Sequence, residues 1–194
     1  MPKRSFQRKP NRLSYWDYGR PGWYFLTFCT HERQCLFGAV DKGAMLQSAF
    51  GRIAHEELLR SASIRAELTL DCFIVMPNHL HLVAVLGSPD HGTLGYKRDP
   101  GYLEPRSASS FVAGFKSAVT TRVNTLRDAP GSAVWQRSFY DHIIRSERAL
   151  QAVRAYIAAN PQRWEFDRLH PLSDPDAADE IDALLEEDAK LPLP

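Results

Sequence analysis

The chain has 194 residues, enough for one domain with a substantial core, and its 44% hydrophobic and 11% aromatic content is typical of a globular protein. No apolar run approaches the ~20 residues that a membrane span requires. The charged residues 1–10 also lack the apolar segment of a signal peptide. Three scattered cysteines without Cys-x-x-Cys spacing predict a reducing cytoplasm and argue against a zinc ribbon or a disulfide framework.

The net charge of +1 is unevenly distributed, since residues 1–12 carry +5 and residues 173–194 carry −7. Blocks of like charge at the ends of a chain are typical of arms and tails. We therefore predict a basic arm over 1–20, a folded domain over 21–172 and an acidic tail over 173–194. The arm suits a polyanionic partner or is a solvated terminus, and the tail either competes with that partner for basic surface or makes no contact.

Hydrophobic periodicity predicts alternating strands and helices along the domain. The predicted strands cover 23–30, 66–75 and 79–86, with an edge strand or connector at 134–145. The predicted helices cover about 42–60, about 107–127, and a segment that Ser146 caps and Pro161 ends. Residues 87–105 are rich in Gly, Pro and Asp, which is typical of a long loop. This order predicts an α+β fold, a central antiparallel sheet with helices packed on it.

Two histidines stand one residue apart in the strand that follows Pro77-Asn78. Because successive side chains of a strand point to opposite faces, His79 and His81 share a face with Val83. Neutral imidazoles side by side on a strand form a good half-site for a divalent metal. The alternative is a pair of core histidines whose hydrogen bonds are satisfied.

The third predicted helix carries a tyrosine one turn before a carboxamide. Tyr156 and Asn160 are four residues apart and lie one above the other at the edge of the packing stripe. In that position both side chains could reach a site on the sheet. The alternative is a tyrosine that packs its ring and an asparagine that closes the helix before Pro161.

Several motifs together resemble a known family, the REP-associated tyrosine transposases. Pro77-Asn78-His79-Leu80-His81 resembles the histidine–hydrophobic–histidine (HUH) motif of single-tyrosine transposases. The other motifs of the resemblance are Trp135-Gln136-Arg137, His142-Ile143-Ile144-Arg145 and Tyr156-Ile157 followed by Asn160-Pro161. The resemblance covers about residues 21–170, so the domain over 21–172 is interpreted as an HUH single-tyrosine transposase domain.

The resemblance implies a ferredoxin-like or RRM-like HUH fold with the histidine pair on a central antiparallel strand. It implies that His79, His81 and Asn160 hold Mg²⁺ or Mn²⁺ and that Tyr156 is the nucleophile. Tyr156 would form a 5′-phosphotyrosine link and release a 3′-hydroxyl. Tyr140 is the rival nucleophile, but only Tyr156 has an asparagine one helical turn away.

The implied substrate is single-stranded DNA beside a hairpin, the repetitive extragenic palindrome (REP). The candidate DNA-binding residues are Arg4 and Lys9 of the basic arm, with Lys116, Arg137, His142 and Arg145 of the domain. Each of the last four could instead form a structural salt bridge. We thus predict a cytoplasmic, metal-dependent, strand-cleaving and strand-joining enzyme on nucleoid DNA, a monomer or homodimer without membrane contact.

Two other functions remain open. One is a non-catalytic, domesticated protein that binds hairpin DNA or regulates it, for which the set of His79, His81, Tyr156 and Asn160 would have no use. The other is an unrelated metal-dependent hydrolase, against which the lack of a nearby Asp, Glu or third His ligand argues.

Overall fold

The structure, a computed structural model, describes residues 20–87, 107–174 and 181–193. The strands are β1 (Gly22–Cys29), β2 (Gly38–Asp41), β3 (Ala44–Gln47), β4 (Leu68–Val75), β5 (His79–Leu86) and β6 (Tyr140–Ile144). The α-helices are α1 (Ala49–Ile64), α2 (Ala108–Leu126), α3 (Glu147–Ala159) and α4 (Asp182–Asp188). Two 3₁₀ segments cover His31–Arg33 and Asn160–Phe166. No helix in these three ranges is long and apolar enough to cross a membrane.

Four strands form one sheet in the order β4-β5-β1-β6, and each neighbouring pair is antiparallel. Because α1 follows β1 and α2 follows β5, the connectivity of the main sheet is that of a ferredoxin-like fold. The α+β prediction is therefore confirmed. The histidine strand β5 is central, as expected, and it pairs His79 with Cys29 and His81 with Thr27 of β1. β6 lies at the edge of the sheet, as predicted.

The sheet is covered on both faces, which gives the protein two apolar cores. Helices α1 and α2 pack on the face that carries Leu80 and Leu82. Helices α3 and α4 pack on the opposite face, which carries Phe25 and Val83. Since side chains alternate along β5, the two histidines point to the α3 side. Strand periodicity thus selects the face on which the site forms.

Side-chain caps fix the ends of the helices that matter for the site. The Ser107 hydroxyl accepts the Ser110 N–H in a reciprocal capping box at the start of α2. The Ser146 hydroxyl accepts the Ala149 N–H at the start of α3. Helix α3 ends at Ala159, and Pro161 lies in the first turn of the 3₁₀ segment that follows. Both helix predictions are confirmed.

The predicted start of the first helix was wrong. Residues 38–47 form the hairpin β2–β3, and α1 begins only after Ser48, whose hydroxyl accepts the N–H groups of Phe50 and Gly51. Lys42 and Gly43 adopt φ of 49° and 74°, as a two-residue hairpin turn of type I′ requires. The apolar residues at 45–46 therefore belong to a strand that precedes the Ser48 cap, and Leu46, expected in the buried stripe, is 57% exposed.

Candidate functional site

The histidine pair is fully enclosed at the centre of the sheet. His79 and His81 are 0% and 3% exposed, and their ring centroids lie 4.4 Å apart. Burial lowers the pKa of His79 to about 3. Burial, together with the neighbouring His79, also lowers the pKa of His81 well below its usual value. Both rings are consequently neutral near pH 7, the form in which imidazole binds a metal.

Hydrogen bonds orient both rings. The Asn78 amide nitrogen donates to the Leu169 carbonyl at 2.7 Å, which leaves its Oδ1 to face the His79 Nδ1 at 2.8 Å. His79 therefore carries its proton on Nδ1, and the lone pair lies on Nε2. The His81 Nδ1 is 2.8 Å from the Thr27 hydroxyl. Both Nε2 atoms are buried without a hydrogen-bond partner in the part of the chain that the structure describes.

Asn160 and Asp167, which follow α3 in the chain, also lie at the histidine pair. Asn160 is 3% exposed, and its Oδ1 is likewise buried without a hydrogen-bond partner among the described residues. Its amide nitrogen donates to Oδ2 of Asp167 at 3.2 Å, and that oxygen is 3.6 Å from the His79 Nε2. Candidate ligand atoms of His79, His81 and Asp167 lie within 4.8 Å of one another, so the group could hold a metal ion. Buried imidazole and amide acceptors that lack donors, beside a buried carboxylate, fit a divalent cation.

Asp167 is the functional candidate that the sequence analysis missed. It follows the 3₁₀ segment directly, and its Oδ1 accepts the Leu169 N–H at 2.6 Å. Burial raises the pKa of Asp167, against the opposing hydrogen bonds from Leu169 and Asn160. No sequence pattern marks this residue, because the turn after the 3₁₀ segment, rather than helical or strand spacing, brings it to the histidines. Asn78 and Thr27 were also not assigned as orienting residues, although both lie in stretches that the resemblance covers.

Tyr156 lies against the histidine pair. Its ring centroid is 5.3 Å from that of His81 and 6.2 Å from that of Phe25. Tyr140 also packs on Phe25, at 6.0 Å, but burial and the charge of Asp182 raise its pKa to about 12. The fold therefore brings Tyr156, Asn160 and both histidines together on one face, and it makes Tyr140 harder to ionise.

The structure describes four of the six candidate DNA-binding residues, and their environments differ. Arg4 and Lys9 lie outside the described residues. Lys116 is partly buried among aromatic rings, where its ammonium donates to the carbonyl oxygens of Gln136 and Ser138 at 2.9 and 3.1 Å. Burial lowers the pKa of Lys116 to about 8. Arg137 is exposed beside it. Contacts of these residues with DNA remain predictions.

His142 and Arg145 lie under the acidic C-terminal segment. One carboxylate oxygen of Asp188 accepts bonds from the His142 Nε2 and the Arg145 backbone N–H, both at 2.9 Å. The other oxygen accepts the Ser146 hydroxyl at 2.6 Å. The Arg145 guanidinium donates to the backbone carbonyls of 189 and 191. Helix α4 thus covers two of the predicted DNA contacts.

Comparisons with known proteins agree with this fold. No protein-family model matches the sequence. An uncharacterized protein of Haemophilus influenzae (strain Rd) is 30% identical over 169 residues, which cover 84% of this chain and 93% of that protein. A solved REP-associated tyrosine transposase bound to a REP hairpin aligns with a TM-score of 0.55 and 17% identity, over 88% of this chain and 93% of its own. The resemblance seen in the sequence is confirmed at the level of the fold.

Proposed function

We propose that this chain, which belongs to the family of the Haemophilus influenzae protein and has the fold of a REP-associated tyrosine transposase, cleaves and rejoins single-stranded DNA. The fold itself supports a transposase-type role in DNA processing. One observation carries the finer proposal: Tyr156 lies 5.3 Å, ring to ring, from one of two neutral, oriented histidines. A protein that only bound DNA would have no need of that arrangement.

Tyr156 is the nucleophile of this reaction. Its phenolic oxygen, once deprotonated, attacks the phosphorus of a phosphodiester and forms a tyrosine–phosphate bond to the new 5′ end of the DNA. The bond from phosphorus to the 3′ oxygen breaks, and that oxygen takes up a proton as a free 3′-hydroxyl. Attack of another 3′-hydroxyl on the phosphotyrosine reverses the step and joins two strands. Because no phosphodiester bond is lost to water, cleavage and joining are nearly balanced in energy.

His79, His81 and Asn160 would hold a divalent cation, Mg²⁺ or Mn²⁺. When bound there, such an ion polarises the phosphate and offsets the charge that develops on it. The chain prepares the site by fixing its own donor atoms: Asn78 holds the His79 ring, and Thr27 contacts the His81 ring. Burial keeps both rings neutral, so that metal binding requires no loss of a proton from them.

The proposed substrate is single-stranded DNA next to a hairpin. The solved transposase of this fold is bound to a REP hairpin, and we extend that ligand class to this chain. Exposed Arg137 and the basic residues 1–12 are suited to phosphate contacts. The protein would act in the cytoplasm on chromosomal DNA.

A pair of conservative variants tests the nucleophile. The assay incubates labelled hairpin DNA with Mg²⁺ or Mn²⁺ and detects a covalent protein–DNA adduct on a denaturing gel. Tyr156→Phe should abolish the adduct and keep DNA binding, since only a hydroxyl is removed. Tyr140→Phe is the matched control and should form the adduct, and EDTA should stop the wild type. An adduct from Tyr156→Phe but not from Tyr140→Phe would reverse the two roles. Binding by the wild type without any adduct would favour the non-catalytic function.

A further inference from the structure

Ligand atoms of His79, His81 and Asp167 lie within 4.8 Å of one another between β5 and the turn after the 3₁₀ segment. Asn160 adjoins this group, because its amide nitrogen donates to Oδ2 of Asp167, and its Oδ1 is buried without a hydrogen-bond partner among the described residues. We propose that Asp167 is a direct, anionic ligand of the divalent cation, alongside the three neutral ligands. This inference rests on the proposed function, because it concerns the same metal site.

The contact between His79 and Asp167 is neither a hydrogen bond nor an ion pair. The proton of His79 is on Nδ1, where Asn78 accepts it, so Nε2 has none to donate. Its 3.6 Å approach to the Asp167 carboxylate therefore brings two lone pairs together in a site without water access. Such an approach raises the energy unless a cation lies within reach of both atoms.

The two carboxylate oxygens of Asp167 make different contacts. Oδ1 accepts the Leu169 N–H at 2.6 Å, which fixes the carboxylate and leaves Oδ2 toward His79. Among the described residues, Oδ2 accepts a hydrogen bond only from the Asn160 amide, a weak bond at 3.2 Å, and a carboxylate oxygen has a second lone-pair direction. The same oxygen can therefore orient Asn160 and bind an ion.

Charge gives a second, independent argument. The Asp167 side chain is 2% exposed, and buried carboxylates are normally paired with a cation or bound to a metal. Burial raises the pKa of Asp167 and the charge of the neighbouring Arg168 acts to lower it, but the Arg168 guanidinium donates at 2.8 Å to Asp182. With one carboxylate among its ligands, the complex of a divalent ion has a net charge of +1 instead of +2. Burying a charge of +1 costs less free energy than burying a charge of +2.

Calorimetric titration of Mn²⁺ into metal-stripped full-length protein tests the assignment without any enzymatic readout. Asp167→Asn keeps the size of the side chain and an oxygen for the Leu169 N–H, and we expect it to weaken Mn²⁺ binding by about tenfold or more. Asp182→Asn is the matched control, because it removes a charge near the site and should change affinity by no more than about twofold. His79→Ala should abolish binding. If the wild type itself binds no Mn²⁺, the metal-dependent function fails as well, and the two failures are thereby distinguished.

A role limited to orienting Asn160 predicts a different result in the double variant. If Asp167 acted only through Asn160, Asp167→Asn would have no further effect in an Asn160→Ala background. If Asp167 is itself a ligand, Asp167→Asn should still weaken Mn²⁺ binding by about tenfold in the Asn160→Ala background. An unchanged affinity in that background would overturn the proposal.

Folding of the metal-free variants supplies the last check. Asp167→Asn and Asp167→Ser should melt within a few degrees of the metal-free wild type, because either side chain can accept the Leu169 N–H. Loss of the metal-free fold in both would also overturn the proposal, since it would show a structural role.

Discussion

Asp188→Ala should destabilise the protein far more than its place in an acidic tail suggests. The side chain is 2% exposed and accepts three hydrogen bonds, from the His142 ring, the Arg145 backbone and the Ser146 hydroxyl. Each donor left buried without a partner costs about 1–3 kcal/mol, and some of them will regain water when α4 loosens. We therefore expect a loss of about 3 kcal/mol, which lowers Tm by about 6–12 °C for a chain of this size. Urea unfolding followed by circular dichroism measures it.

Glu187→Ala is the control, because Glu187 is exposed and carries the same charge one residue away. It should change stability by less than about 0.5 kcal/mol. Burial opposes the hydrogen bonds from Ser146 and His142, but the pKa of Asp188 is lowered overall. Its contribution is thus complete above the unfolded pKa of ~3.9 and is lost as the pH falls below that value. Equal effects of both substitutions at pH 7 would mean that α4 is not docked in solution.

Two smaller predictions concern residues that support the site. The pKa of Lys116 is about 8 in the folded protein, below its usual 10.5, so between these pH values the unfolded chain binds the proton more tightly. Wild-type stability should therefore increase as the pH rises from about 8 to 10.5, and Lys116→Met should remove that increase. Urea midpoints from pH 7 to 10 compare the two proteins, and parallel curves would contradict the lowered pKa. Asn78→Ala should weaken Mn²⁺ binding about 10–100-fold, because His79 loses the acceptor that fixes its proton on Nδ1. Calorimetry checks it, and an unchanged affinity would show that the ring needs no such support.

Much of the fold could be predicted because it follows from local rules. The alternation of apolar side chains placed the two histidines on the face opposite Leu80 and Leu82, and the sheet confirms it. Ser146 and Pro161 bounded α3 through capping and a missing N–H donor, both of which act within one turn. The hairpin before α1 was missed because its turn, Lys42-Gly43, differs from the usual Asn-Gly or Asp-Gly signal.

The residues that were missed or assigned differently depend on contacts between distant parts of the chain. Asp167 reaches His79 across 88 positions of sequence, and Asp188 reaches His142 across 46. Neither acid follows a spacing that a strand or helix imposes. The low apolar content of 179–190 also gave no sign that Ile181 and Leu185 would be buried. Two apolar side chains are enough to dock a short helix, provided that polar bonds such as those of Asp188, which lies on the same buried face, hold it in place.

Asp167 also changes the argument against a metal-dependent hydrolase. The sequence offered no acid near the histidine pair, and that absence spoke against the hydrolase, but the fold supplies one at 3.6 Å. The distinction now depends on Tyr156. A hydrolase activates water and gains nothing from a phenol that packs 5.3 Å from His81, whereas a transesterase needs its nucleophile on a rigid element beside the phosphate. Helix α3 provides that rigidity, and Asn160 follows its last residue directly, one turn after Tyr156, so the proposed nucleophile and the proposed ligand are held on one continuous segment.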